Sequence, residues 1–376
     1  MKENICILTT VHYWNDNRVY YKEVLSLKKL GYNVTYVANE CEGKIDPEVR
    51  AINIKKDKNT IKRILGFFHA FNVVRKLDCK VVHFQDSELI PTGLLLKLFT
   101  KKKVIYDVHE DYPSQMLTKY YLPSYTRKPL YWLMSCLEWL SGKAFDAIIV
   151  ADQAVYKHFP SKKTTILFNY PSVSNLSEAS KGLPEIVKEY DIIFPGTMAK
   201  FTAKMILDII KCAKDRGVKL RCLIISHFKF EGGKDWVKQT AMEYGITDHL
   251  TLMDRIPPYD VPLYLSKTRI GLIPLPDTLK MRSNIPTKMF EYMYYKLPVI
   301  TGELPPCGHF MNKDKFGYMV KWDSVEEYTD KILHLLNTPE ELDKLGEKGH
   351  QLVLEKYNWE TEERKLEEVY NKVLRR

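Results

Sequence analysis

Residues 1–38 read MKENICILTTVHYWNDNRVYYKEVLSLKKLGYNVTYVA. The run Ile5–Thr9 is apolar without alternation, which suits a strand buried on both faces. A polar loop follows to Arg18. Apolar residues at helical spacing then run over Val19–Leu30, a glycine ends them, and Val34–Ala38 is a second buried run. Two buried strands joined through a helix make a strand–helix–strand unit, and such units build parallel sheets covered on both sides.

Outward from this unit the pattern repeats. Further strands are expected at Val81–Phe84, Val104–Tyr106, Ala147–Ala151 and Thr165–Phe168, with helices over Ile61–Leu77, Leu89–Phe99 and Leu130–Lys143. The polar stretch Ser172–Glu189 interrupts the alternation and reads as a linker. Strands resume at Asp191–Phe194, Leu220–Ile225, Leu250–Met253, Ile270–Pro274 and Pro298–Thr301. Two doubly wound α/β domains in series are therefore expected, with 376 residues ample for both. Ligands of such sheets bind at the carboxyl ends of the strands, so the site is expected in a cleft between two facing domains.

Composition excludes several classes. Hydrophobic residues at 45% and charged residues at 28% describe a globular chain. The longest uncharged apolar stretch, Pro129–Leu137, is far short of the about 20 residues of a membrane span, and the N-terminal apolar run is too short for an export signal. The seven cysteines are scattered and never form a C-x-x-C pair, which points to reduced thiols instead of a disulfide or zinc framework. The expected location is the cytoplasm. Charge is uneven: residues 1–170 hold 26 Lys/Arg against 17 Asp/Glu, the remainder 31 against 30. A basic half makes nucleic acid or an anionic membrane a candidate partner. No aromatic–basic motif of nucleic-acid binders is present, which leaves peripheral contact with the inner face of the plasma membrane. Two segments would supply it. Ile61, Ile64, Leu65, Phe68 and Phe71 form one helical stripe beside Lys62, Arg63 and Lys76, and Thr118–Trp139 mixes Lys119, Arg127 and Lys128 with six Tyr and Trp residues. Both stripes fit equally well against a sheet.

Strand ends carry the unusual residues. After the first strand, Asp16 and Arg18 close a loop that lacks a G-x-G-x-x-G fingerprint; it suits a capped turn or a loop whose Arg18 holds an acceptor anion. After Val104 comes Tyr106-Asp107-Val108-His109-Glu110-Asp111, three carboxylates around a histidine, a costly set to bury without purpose. A structural histidine is the competing reading. In the second half Phe194-Pro195-Gly196-Thr197 runs into a glycine turn, with a helix expected from near Thr202; there backbone N–H groups can meet a phosphate. Farther on lie Lys280, Arg282, Asn284, Thr287, Lys288 and Glu291. Glu291 shares one helical face with Thr287 and could equally be an ordinary first-turn acid.

The stretches NDNRVYYKEVLSLKKLGYNVTYVA, VIYDVHEDYP, NIPTKMFEYMYYKLPVIT and YNWETEERKLEEVYNKVL, in this order over nearly the whole chain, resemble the retaining glycosyltransferases of family 4. The resemblance implies the GT-B architecture: an acceptor-binding Rossmann-like domain (1–175), a nucleotide-sugar-binding one (190–357) and a C-terminal helix (358–376) crossing back to the first domain. It implies transfer of a hexose from a nucleotide-sugar, a UDP-sugar foremost, to a glycan or lipid-linked acceptor with retention, in cell-surface polysaccharide or glycoconjugate synthesis. His109 matches the family's histidine at the donor sugar, Glu291 the second acid of its E-x7-E element at the ribose, and Gly196 the glycine lining the diphosphate. The first acid of that element falls on Ser283, and the usual diphosphate-gripping Arg and Lys fall on Thr197 and Thr202. Lys200, Lys204, Arg282 or Lys288 is expected to supply the missing charge, and Asn284–Lys288 follows a subgroup's Asn-x-Pro-x-Lys pattern. Asp16, Arg18 and Glu110 are the acceptor-side candidates. No D-x-D-like pair follows a strand, so neither metal nor other cofactor is expected. Two other readings share these observations: a nucleotide-sugar epimerase of the same architecture, and a non-catalytic basic binding module.

Overall fold

A computed structural model describes residues 3–54, 60–119, 122–183 and 187–375, with side chains throughout except at 60–65. Ile61, Lys62, Arg63, Ile64, Leu65, Tyr120 and Tyr121 thus lie outside the residues whose side chains are described. The chain divides into two compact units, Met1–Asn169 with Trp359–Arg376, and Tyr170–Asn358.

In the first unit seven parallel strands stand in the order β3-β2-β1-β4-β5-β6-β7. They are β1 (Asn4–Tyr13), β2 (Asn33–Asn39), β3 (Arg50–Asn53), β4 (Val81–Phe84), β5 (Lys103–Val108), β6 (Ala147–Val150) and β7 (Thr164–Ile166). Ile5 pairs with Val34 on one side and Val81 on the other, so β1 is the strand from which the sheet winds both ways. Successive β1 residues feed opposite cores: Ile5 and Ile7 pack with Val34 and Tyr36, Cys6 and Leu8 with Val82, Phe84 and Tyr106. Both faces are apolar, hence the absence of alternation in the sequence. The C-terminal helix Trp359–Arg375 buries Trp359, Leu366, Val369, Tyr370 and Val373 in the first of these cores. At about 1.5–3 kcal/mol for each fully buried large side chain, this stripe ties the last helix to the first unit.

The second unit holds six parallel strands in the order β10-β9-β8-β11-β12-β13: β8 (Tyr190–Met198), β9 (Cys222–Phe228), β10 (Leu250–Met253), β11 (Thr268–Ile273), β12 (Val299–Gly302) and β13 (Gly317–Val320). Here β8 is the strand where the winding reverses. The helix Lys200–Asp215 buries Met205, Ile206, Ile209, Ile210 and Ala213 at helical spacing against this sheet. Gly271 on β11 is required by Tyr292: a Cβ there would lie 2.1 Å from the Tyr292 ring. The Tyr292 hydroxyl donates to either of two backbone oxygens, Ile193 and Leu272, each 3.3 Å away, and so pins the helix Lys288–Tyr294 across the β8–β11 pair.

Several expectations need correction. β1 runs to Tyr13 with a register shift between Leu8 and Tyr13, so half of the supposed loop is extended chain. β8 likewise continues through the glycine turn to Met198, and the next helix starts at Lys200, not near Thr202. β3 and β13 were not foreseen; both are short edge strands, whose sparse burial leaves little periodic signal. The stretch Ser172–Glu189 is not a bare linker. It contains the helix Val173–Ser180, capped by Ser172 and tied by Ser180 Oγ to Tyr295 Oη at 2.9 Å, and the units divide after Asn169.

Candidate active site

Each unit gathers polar side chains at the carboxyl end of the strands where its winding reverses, the place where such sheets bind ligands. In the first unit β5 delivers Asp107 and, just beyond its end, His109. The His109 Nε2 lies 3.3 Å from Asp107 Oδ2, and its ring centroid 5.5 Å from that of His12. The second half of β1 is folded around Asp86, which follows β4. Its Oδ2 accepts from Thr9 Oγ1 (2.9 Å), Thr10 N (2.5 Å), Thr10 Oγ1 (3.1 Å) and Val11 N (3.0 Å). His12 Nδ1 lies 3.0 Å from Asp16 Oδ2, and its Nε2 3.5 Å from Asp86 Oδ1. Asp16 Oδ1 accepts from the backbone N–H groups of Arg18 and Val19, each at 2.9 Å, and so starts a π-helical turn, Val19–Val24. Burial works against the Asp16 charge, but the bonds from His12 and Val19 prevail and hold its carboxyl at about 2. Asp16 is thus the capping acid of the plainer reading.

Arg18 does not offer itself to an anion. Only 4% exposed, it forks onto Asp107 (Nη2–Oδ2 2.8 Å, Nη2–Oδ1 3.0 Å), reaches Glu23 Oε1 at 3.1 Å, and donates to the Leu167 carbonyl at 3.0 Å. The reason is electrostatic: two buried acids, Glu23 and Asp107, face one another there, and a guanidinium matches their planar oxygens.

Glu23 and Asp107 are distant in sequence, meet only in the fold, and are both fully buried. Burial and the neighbouring Asp107 push the Glu23 carboxyl up. Burial also opposes the Asp107 charge, but Arg18 and His109 overcome it and hold that carboxyl well below the usual range. Gln85 Nε2 donates to Glu23 Oε2 at 2.8 Å, and His83 Nδ1 lies 3.0 Å from the Tyr370 hydroxyl of the last helix. Burial lowers the His83 imidazole to about 4, so it is neutral. Among the described residues, Glu23, His83 and Asp107 bring ligand-type atoms within 4.8 Å of one another. The Arg18 guanidinium already supplies the positive charge there. The remaining acids of the motif are also engaged: Asp111 caps the helix Tyr112–Thr118 through Ser114 N at 3.0 Å, and Glu110 accepts from Gln115.

In the second unit Gly196 sits at φ +114, a backbone region that side chains rarely enter, and it is exposed with Thr197 at the end of β8. A Cβ at Gly196 would lie 3.4 Å from Lys288 Nζ. That ammonium donates to the Pro195 carbonyl at 2.9 Å and stands 3.6 Å from the centroid of the Phe194 ring. Lys288 keeps some exposed surface, but its charged end is enclosed, and burial lowers it to about 8 against the opposing pull of Glu291. Glu291 follows one turn along the same helix.

The other proposed cations stand differently. Lys204 is paired with Asp208 at 2.5 Å, and Arg282 with Asp277 at 2.5 Å. Lys200 lies 5.2 Å from the Trp236 ring centroid, in the first turn of its helix. Thr202 is buried and donates to the Pro274 carbonyl at 3.1 Å, while Ser283 Oγ bonds back to its own helix. Asn284 ends that short helix, and Thr287 is exposed just before Lys288. Gly196, Thr197, Lys288 and Glu291 thus form the group that the fold assembles. Sequence reading missed a cavity of about 420 Å³ at the ends of β9 and β10, lined by Ser226, His227, Gly233 and Arg255 among others. It also missed His12 and Asp86. Their position just after strands was the available signal.

Two family models match the chain: "Glycosyltransferase Family 4" over residues 17–194 and "Glycosyl transferases group 1" over residues 177–352. The chain belongs to the group 1, family 4 glycosyltransferases. Solved structures agree on the fold. Sucrose-phosphate synthase from Thermosynechococcus elongatus superposes with a TM-score of 0.71 at 15% identity, covering 99% of each chain. A glycosyltransferase from Rickettsia africae gives 0.70 at 14%, again over 99% of both. Anabaena HepE in complex with UDP and glucose gives 0.69 at 9%, over 98% of this glycosyltransferase and 100% of HepE. No curated protein matches it by sequence. The two parallel-sheet domains are those of the GT-B glycosyltransferases.

Proposed function

We propose that this glycosyltransferase moves a hexose from a UDP-sugar to a glycan or lipid-linked acceptor, with retention and without a metal, in the synthesis of cell-surface polysaccharide or glycoconjugate. The observation that carries the reading is the Lys288 ammonium beside the Gly196 turn, with Glu291 one turn along its helix. Breaking a sugar–phosphate bond builds negative charge on the leaving diphosphate. A fixed cation, exposed backbone at a glycine and the first turn of the helix Lys200–Asp215 answer that charge without reorganising. The Glu291 carboxylate accepts from the ribose hydroxyls, and the base occupies the cavity at the ends of β9 and β10. A diphosphate oxygen takes the acceptor's proton as the acceptor attacks on the leaving-group face. The HepE complex with UDP and glucose supports the choice of nucleotide.

A melting-temperature screen against UDP-, GDP- and ADP-sugars in EDTA tests the reading. At a hundredfold excess over Kd the UDP-sugar should stabilise by about 2.7 kcal/mol, roughly 5–10 °C, and the others less. Glu291→Gln removes charge-assisted bonds and should weaken UDP binding roughly ten- to a hundredfold. A shift that needs added magnesium or manganese, or one unaltered by Glu291→Gln, counts against it.

Lys288 gives the donor site a pH signature. Its lowered value means that the ammonium loses its proton as pH rises through about 8, where an ordinary lysine stays charged. UDP affinity should therefore fall above about pH 8, and Lys288→Met should bind weakly with a flat profile. Titration calorimetry of UDP across this range decides, and an equally steep profile in Lys288→Met would remove Lys288 from the diphosphate site.

A further inference from the structure

The helix Ser124–Ala144 is inverted relative to an ordinary surface helix. Its outward face, at helical spacing, presents Tyr125 (79% exposed), Trp132 (69%), Leu133 (54%), Trp139 (58%) and Leu140 (37%). Its inward face buries Glu138, Ser141 and Gly142. Surface helices normally turn their apolar stripe to the core, so aromatics arranged in this way call for a covering. We propose that this face docks the first unit on an anionic lipid surface.

Charge selects the occupant. The only acid of the helix, Glu138, is 3% exposed and faces inward. Lys128 and Lys143 stand on the outward face, and Lys143 Nζ lies 5.8 Å from the Trp139 ring centroid. At the same edge, Lys97 and Lys103 both meet Asp146, two residues beyond the helix, and the neighbouring helix Ile90–Phe99 ends in exposed Leu98 (74%) and Phe99 (66%). Trp and Tyr flanked by lysines are the side chains that settle at the headgroup level of a bilayer. A second copy packed face to face would bring Lys128 and Lys143 against lysines, with Asp146 already paired to Lys97 and Lys103, whereas anionic headgroups complement them. No described helix is long and apolar enough to cross a membrane, so the contact is interfacial. Of the two segments expected to meet a membrane, this one is described with an exposed face; much of the other lies outside the described side chains.

The inference rests on the transferase reading only in giving a lipid-linked acceptor a place to be met, and its test uses neither donor nor acceptor. The full chain is sedimented with vesicles of phosphatidylcholine alone and of phosphatidylcholine mixed with phosphatidylglycerol, at low and high salt. Binding should require phosphatidylglycerol and weaken with salt. Lys128→Gln with Lys143→Gln should weaken it roughly thirtyfold, and Trp132→Ser with Trp139→Ser by more than about tenfold. All four side chains are exposed, so the melting temperature should hold. Binding indifferent to lipid charge, no binding at all, or full binding by both double variants overturns the proposal. So does a dimer in solution that the tryptophan variant dissolves, because the face would then belong to a second copy.

Discussion

Arg18→Leu should destabilise the first unit by about 3–5 kcal/mol, the cost of leaving buried charge without its partner. Asp107 and Glu23, both fully buried, lose their shared guanidinium, and Leu167 loses a donor to its carbonyl. Urea unfolding should show a lowered midpoint. The pH dependence separates this cause from lost packing. In the native chain the Asp107 carboxyl is held below its unfolded value, so its contribution is present above that value and lost as pH falls. In Arg18→Leu the Asp107 carboxyl loses the largest influence holding it down, and Glu23, already pushed up in the native chain, loses the cation beside it. Their protonated forms are then favoured, and the variant should gain stability as pH falls toward the acid range. A variant as stable as the native chain, or one that loses stability in parallel with it on acidification, would show that the pair is not what holds this part of the sheet.

His109→Ala should lower kcat by about 10²–10³ while UDP affinity stays nearly intact. The imidazole is 13% exposed and oriented by Asp107 at 3.3 Å, which Arg18 fixes in turn. A side chain held in this way from behind can meet charge that develops on the donor sugar without reorganising. Asp107→Asn offers a milder disturbance of the same ring and should lower kcat less than His109→Ala. Steady-state kinetics with a separate UDP titration makes the distinction. Unchanged kcat in His109→Ala would leave a structural histidine.

Much of this protein could be read from its sequence. Unalternating apolar runs such as Ile5–Thr9 and Val81–Phe84 determine strands buried on both faces, because only helices on each side can satisfy them. Gly196 and Lys288 stood out in the sequence, and the fold brings them together at the end of β8, where a backbone at φ +114 excludes most side chains. Tertiary structure decided what local pattern leaves open. Arg18 looked like an anion hook, but Asp107, 89 residues away, claims it. No local signal records that pairing. Of the four proposed cations, Lys204 and Arg282 are taken by nearby acids, and Lys288 stands at the glycine turn. The aromatic stripe of Ser124–Ala144 was visible as a helical period, yet periodicity cannot say which side faces the sheet. Burial of Glu138, Ser141 and Gly142 settles it, because a helix has one orientation only once its neighbours are in place.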